Sequence, residues 1–535
     1  MKNQNRSQPE RLALPVNARI ARALGNAALV CALLAALALS LSSLFVSAKI
    51  GEAQYSELYV VLVSEKLWLS LLLLAAGLAL LSLLSRIRIT KRFNRWFAAV
   101  AFTLLGLFGI LWVMSVNAHA ESDGDIMIQI AEKILKGDFS SLQTAGEFDR
   151  YYFVRSPYQF GTMAYLQAFV ALFGGTGSLG MLRLANVGLL IASYVGVVLL
   201  TERLFQDDRT TFLTIVLLCL CIQPVFNTTF IYGLTPSFAL SVWALYCTVL
   251  YLQTDRKRYM IPAGLLLALA VTVRTTSWIV ALAIGVVLLV RAIARKKLTP
   301  LLILLALLLF ASPWTKLVQK AYESAADTTF GAGYPKTFWI SMCLQDGPKA
   351  AGWHVQWYQD EVRDACGEDI DAVAAISAAD IRAKLGEFVQ DPALAGAYYF
   401  EKFASMWTEP TFTSIWITKG MPAYTEPEAL AKFVYSDAFD GSYRFAMRTV
   451  LLSVYAGFVL GCVFLFKRRG EERLLLPVLV LGGILFHLII ESKSQYVLEY
   501  LPLLAPLAAF GVASLGRLVW GRPAKEPEDD REAEA

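Results

Sequence analysis

The chain has 535 residues, of which 57% are apolar and only 17% charged. That balance excludes a soluble globular protein and places the chain among integral membrane proteins. The net charge of +5 says little about partners, because loop topology accounts for the basic residues, and no nucleic-acid signature is present.

A run of about 20 apolar residues crosses a bilayer as a helix. Windows that qualify lie at 20–48, 67–85, 97–117, 180–202, 211–228, 236–253, 260–274, 277–293, 298–318, 446–466, 473–491 and 499–520. They predict an all-α polytopic membrane protein with about twelve transmembrane helices. The 260–274 window is short and stops near Arg274. The apolar segment 157–174 is expected to lie in the interface as a juxtamembrane helix.

The N-terminal tail is basic (Arg6, Arg11, Arg19, Arg22) and leads into a segment too long for a signal-peptide core, so no cleavable signal is expected. Residues 1–95 then supply two extra spans. Residues 96–318 form a module of seven spans with a first outer loop at 118–179. Residues 319–445 form an extracytoplasmic domain, 446–520 hold the last three spans, and 521–535 read as a disordered cytoplasmic tail rich in acids and Pro.

Orientation follows from Lys and Arg in the short loops. Loops 86–96, 254–258, 291–297 and 467–473 hold 16 basic residues in 30 positions, against 3 in 32 for loops 49–66, 229–235 and 492–498. The basic side is expected to face the cytoplasm, with both termini inside and the loops around Asp123 and 319–445 outside. Spanning by 157–174 would invert this bias.

Past the third span stand Asp123 and Asp125, with His119 and Glu121 beside them. Carboxylates at a water–lipid boundary can act on one membrane-held and one soluble substrate. Residues 126–136 read as a short amphipathic helix with Ile126, Ile128, Ile130, Ile134 and Leu135 available to dip into lipid. Lys133, Lys136, Asp138, Tyr151, Tyr152 and Arg155 follow, then Ser156-Pro157-Tyr158-Gln159-Phe160-Gly161 opens the interfacial helix, which Gly174-Gly175 closes.

The outer domain carries an amphipathic helical pattern over 372–389. It is dense in aromatics, including Trp339, Trp353, Trp357, Trp407 and Trp416. These either stack on sugar rings or gather, as Trp and Tyr do, at a membrane interface. Five of the seven cysteines sit in spans, and Cys343 with Cys366 is a disulfide candidate in the outer loop.

The acid after a span, two juxtamembrane helices and the Tyr…Pro-x-Gln-x-Gly segment resemble the GT-C superfamily of membrane glycosyltransferases. The likeness is nearest to its protein-mannosyltransferase-like and aminoarabinose-transferase-like bacterial members. Phe173-Gly174, Leu182-Arg183-Leu184, Arg203-Leu204-Phe205 and Glu491-Ser-Lys-Ser-Gln-Tyr496 continue the pattern over about 96–318 and 446–520.

The resemblance implies a GT-C-like fold and an inverting transfer of a sugar from a polyprenyl-phosphate donor to an acceptor hydroxyl, outside the cytoplasmic membrane. The acceptor would be a glycan, a glycolipid or a protein, and membrane lipid surrounds the site. Asp123 would be the general base, with Asp125 either assisting it or serving as a solvated helix-start acid. Lys493 is the first candidate for the donor phosphate, the other reading being a lysine snorkelling to water. Arg183 and Arg274 come next. Tyr152, Tyr158, Gln159, Tyr232 and Tyr496 would line the substrate cleft.

His487 and Glu491, four residues apart, make either a hydrogen-bonded pair or a metal site. The loop Asn227–Thr235 lacks the second acid that many relatives place there. No required metal or other cofactor is therefore expected, a divalent ion being left open. Two other readings compete, a flippase or transporter of lipid-linked sugars and a non-enzymatic scaffold for envelope assembly. The first would call for ionisable residues deep in the spans or an inverted repeat.

Overall fold

In the computed structural model, residues 15–50, 60–87, 89–347, 349–421 and 423–521 are described. The expected disordered tail, and the basic Arg6 and Arg11, lie outside them. The chain is an all-α multi-pass membrane protein with one small hairpin. Among the described residues, ten helices are long and apolar enough to cross a membrane. They are Val16–Phe45, Leu67–Leu84, Lys91–Ser115, Gly177–Phe205, Leu234–Thr254, Thr275–Arg295, Thr299–Ala325, Asp437–Leu465, Glu471–Ile489 and Leu501–Trp520.

An eleventh crossing is broken. Asp208–Leu220 and Gln223–Thr229 meet at a 47° bend, where Pro224 cannot continue the preceding helix. The twelfth expected span, Met260–Val273, has 14 residues, about 21 Å at 1.5 Å per residue and short of the ~30 Å hydrocarbon core. It stops at Arg274, whose backbone turns extended before the next helix begins. Both interruptions lie near the helices that follow Asp123, Thr229 beside Arg183 and Thr272 beside Gly161.

Helix pairing in the bundle depends on small residues. Asp437–Leu465 and Leu501–Trp520 touch backbone to backbone. A Cβ on Gly461 would lie 2.4 Å from the Leu507 carbonyl oxygen, and one on Gly511 would lie 2.2 Å from that of Gly457. Small residues let helices approach this closely where lipid supplies no hydrophobic drive. In contrast, Leu302, Leu305 and Leu309 on Thr299–Ala325 are exposed, as a lipid-facing surface requires.

The basic loops gather at the opposite end of the bundle from Asp123. There Asp255, in a left-handed turn at φ 56°, takes Arg291 at 2.5 Å and also pairs with Arg295. Arg517 pairs with Asp207 at 2.9 Å and Lys91 with Glu202 at 3.4 Å.

At the end that carries Asp123, Ser122–Leu135 and Phe160–Phe173 form the two juxtamembrane helices. Gly174 closes the second at φ 64°, a conformation that favours glycine. The outer domain builds a small core of Phe338, Met342, Tyr358, Val362 and Val373. Trp353 and Trp407 are buried, and Trp353 Nε1 donates to Ser405 Oγ at 3.2 Å, so these two indoles pack the fold. A hairpin that the apolar windows did not indicate, Val46–Ile50 paired antiparallel with Val60–Ser64, joins the first two spans and packs on Trp353.

The expected bridge between Cys343 and Cys366 is not formed, and both thiols are free. Cys343 is fully buried with Lys402 and Glu491 as its charged neighbours, whereas Cys366 ends its helix beside Asp369.

Candidate active site

The helix Ser122–Leu135 starts with Asp123 and Asp125 in its first turn, where the helix dipole favours negative charge. Two residues along a helix are about 200° apart, so the two acids point in different directions. Asp125 accepts from Gln129 Nε2 at 2.6 Å and acts on the Tyr424 hydroxyl. Asp123 lies within electrostatic reach of Tyr152, Tyr158, Tyr232, Tyr496 and Lys493. Between them Gly124 seats the helix against the chain at Ile231, where a Cβ would come within 2.3 Å of the carbonyl oxygen.

The Pro-x-Gln-x-Gly segment has a physical account. Gln159 Nε2 donates to the Tyr232 hydroxyl, and Thr162 donates to the Val273 carbonyl at 2.6 Å. A Cβ on Gly161 would sit 1.7 Å from the Thr272 carbonyl oxygen. Only glycine lets the interfacial helix lie against the last turn of the helix Met260–Val273 that leads to Arg274. The segment therefore fixes Tyr158, Tyr232 and Arg274 relative to one another.

Burial raises the pKa of the Tyr152, Tyr158, Tyr232 and Tyr496 hydroxyls, and the neighbouring Asp123 raises it further. All four stay protonated and act as neutral hydrogen-bond donors and acceptors around the carboxylate. The Tyr152 hydroxyl is buried and has no partner among the described residues.

The cations differ in how free they are. Lys493 stands 3.2 Å from Glu491 and keeps 29% of its side chain exposed. Burial works against its charge, but Glu491, with Tyr496, Glu121 and Asp123 behind it, raises its pKa. For Glu491, burial is outweighed by Lys493, His354 and Lys349, which hold the carboxyl down to about 2. Glu121 is the counter-case, pushed up to about 7 by burial, with Lys493 lowering it and Asp123 raising it.

Arg274 is committed to Glu499 at 2.9 Å and lies over the rings of Tyr232 and Tyr496, 5.4 and 5.2 Å from their centroids. Arg183, expected near the donor phosphate, is instead a buried strut. It donates to the carbonyls of Thr229, Val116, Ala118 and His119 at 2.8–3.3 Å, so its donors are already used in holding the approach to Asp123.

Arg155 is the residue that sequence reasoning passed over. Its guanidinium stands 5.5 Å from the Tyr152 ring centroid and 5.7 Å from those of Tyr151 and Trp339. It is half-buried and, among the described residues, has no carboxylate within ion-pair distance. Its position directly before Ser156-Pro157 was the available signal, but a lone outer-loop arginine usually solvates.

The outer domain closes the far wall. Ser492 N donates to the Gly352 carbonyl at 2.9 Å, and Tyr334 N to that of Arg155 at 3.0 Å. His487 bonds the main-chain oxygen of Glu491 through Nδ1 at 2.8 Å and stacks on Tyr496, the hydrogen-bonded alternative for that pair. Trp339 is the outer-domain indole at the cleft, 6.4 Å from Tyr158 between ring centroids.

Fold and site together define a multi-pass membrane protein with a juxtamembrane cleft, in which one carboxylate faces four tyrosines and two cations. Residues 161–315 match the family model described as dolichyl-phosphate-mannose-protein mannosyltransferase. The match begins at the glycine of Pro-x-Gln-x-Gly and runs into the helix Thr299–Ala325. No curated protein matches the chain.

Among solved structures, the chain is similar to ArnT from Cupriavidus metallidurans bound to undecaprenyl phosphate. The identity is 16% over 79% of this chain and 78% of that one, with a TM-score of 0.33. The apo state of the same protein gives 14% identity over 78% and 77%, with a TM-score of 0.32.

Proposed function

We propose that the chain is an inverting glycosyltransferase that moves a sugar from a polyprenyl-phosphate donor to an acceptor hydroxyl at the outer face of the cell membrane. The observation that carries this reading is the convergence of Asp123, four protonated tyrosines, Arg155 and Lys493 in one cleft at the bundle end away from the basic loops. The mannosyltransferase family match over 161–315 supports it.

Asp123 takes the acceptor proton as the hydroxyl oxygen attacks the anomeric carbon. The carbon–oxygen bond to phosphate breaks, and its electron pair leaves with the polyprenyl phosphate. Phosphate is a competent leaving group, so it needs charge stabilisation rather than a strong acid. Arg155 supplies a planar fork of donors and Lys493 a point charge, and in this reading no metal is required. The tyrosine hydroxyls orient the sugar, and their rings exclude water from the reacting centre. Glycan, glycolipid and protein acceptors all present the hydroxyl that the step needs.

Sugar transfer by the purified protein in lipid tests the reading, with a panel of polyprenyl-phosphate sugars as donors. Asp123→Asn is expected to lose about 10²–10⁴-fold in turnover while retaining donor binding, and Asp125→Asn to stay close to wild type. Full activity of Asp123→Asn would sink the base assignment.

A further inference from the structure

A cavity of about 200 Å³ lies at the basic end of the bundle, lined by residues of five spanning helices. Its polar lining is Arg203, Gln206, Gln253, Arg468, Arg469, Glu472 and Arg473, so four arginines face a single carboxylate. Leucines from the same helices make its floor. The site is remote from the cleft. Arg183, beside Asp123, and Arg203 share the helix Gly175–Phe205, and a rise of 1.5 Å per residue puts about 30 Å between them.

Two of the arginines are held in place. Arg468 donates to the Phe205 carbonyl at 3.0 Å and lies 4.8 Å from the Phe510 ring centroid. Arg473 donates to the Leu465 carbonyl at 2.8 Å and to Asn26 Oδ1 at 2.9 Å. The other two, Arg203 and Arg469, are exposed and form no ion pair among the described residues. Gln253 Nε2, bonded to the Arg203 carbonyl at 2.7 Å, pins the backbone that carries the first of them.

We propose that this cavity is an anion site that takes a phosphate group, presented either by an anionic phospholipid of the adjoining leaflet or by a soluble phosphate. Guanidinium forks match phosphate oxygens in geometry and charge. Basic pockets between helix ends hold lipid headgroups by the same attraction. By the accessible-volume measure, a water needs about 10–15 Å³, so the cavity has room for a phosphate with part of its hydration. The apolar floor suits the glycerol and first methylenes of a lipid, and the helix ends set the depth at which headgroups lie. Occupancy would bridge the helix ending at Phe205 to the loop at Arg468, independently of the chemistry at Asp123.

The test is thermal unfolding of the full-length protein in detergent, followed by tryptophan fluorescence. Phosphatidylglycerol, phosphatidylcholine or inorganic phosphate is titrated at fixed ionic strength. Wild type is compared with Arg203→Ala/Arg469→Ala and with Arg203→Lys/Arg469→Lys. Phosphatidylglycerol is expected to raise the wild-type midpoint above that in phosphatidylcholine. Half-saturation should move about tenfold or more upward in the alanine pair, with partial recovery in the lysine pair. Protection by the lipid alone assigns the phosphate to the membrane, and protection by inorganic phosphate as well assigns it to a soluble anion. Equal protection of wild type and the alanine pair, or no protection of wild type by either phosphate source, would overturn the proposal.

Discussion

Arg155 and Arg183 are two arginines near one cleft with opposite assignments, and the difference lies in what their donors already hold. Arg183 spends its donors on carbonyl oxygens, so Arg183→Ala should lower the unfolding midpoint. Arg155 stands over aromatic rings with no acid beside it. Its loss should leave the fold intact and lower kcat/KM for transfer by about 10–100-fold, the effect of one charged hydrogen bond at 1.36 kcal/mol per decade. Arg155→Lys should recover part of that loss, and an unchanged kcat/KM in Arg155→Ala would remove Arg155 from the proposed site. Sequence pointed to Asp123, Lys493 and the tyrosines through a resemblance, but the freedom of a guanidinium is set by neighbours distant in the chain.

Glu121 adds a pH dependence at the same scale. The folded protein raises its carboxyl from 4.5 to about 7, so it holds that proton more tightly than the unfolded chain does. The stability this contributes is full below about pH 4.5 and is lost as pH rises through about 7. Glu121→Gln cannot ionise. Its unfolding midpoint should therefore gain on wild type as pH rises from 5 to 8, and parallel curves would refute the assignment.

At the scale of elements, the interfacial helix Phe160–Phe173 depends on Gly161. A methyl there would meet the Thr272 carbonyl oxygen at 1.7 Å, so Gly161→Ala should cost about 1–3 kcal/mol through overpacking. The helix end at Val273 that carries Arg274 would also shift, so the variant should show a lower midpoint and weaker donor binding together. Both juxtamembrane helices were legible, because Pro157 and Gly174 punctuate one and an isoleucine pattern marks the other. The hairpin at Val46–Ile50 was not, since its short strands run on from an apolar span and carry no separate signal. The span bent at Pro224 read as an ordinary one, because hydropathy counts residues and does not register a proline bend, whereas the window ending near Arg274 was legible as short.

For the whole molecule, the glycine contacts between Asp437–Leu465 and Leu501–Trp520 set how closely these two of the last three spans pack. Gly511→Leu places a side chain where a Cβ already lies 2.2 Å from the Gly457 carbonyl oxygen. The expected result is a drop of several degrees in the unfolding midpoint. The overall architecture was legible from apolar windows and loop charge, down to the basic end. How the outer domain meets the spans was not, because its links, such as Gln223 Nε2 to the Pro410 carbonyl at 2.9 Å and the Tyr455 hydroxyl to that of Trp407 at 2.7 Å, join residues far apart in the chain.

Asp123 sits on an early segment of the chain and Lys493 on one of the last, where the adjacent Ser492 is bonded to the outer domain's Gly352. Synthesis therefore delivers the carboxylate long before the cation that stands opposite it. A ribosome-bound chain that has inserted only its first spans carries the acid without its counterpart. The cleft matures with the insertion of the closing helices, so the timing of membrane integration sets when the protein can first act.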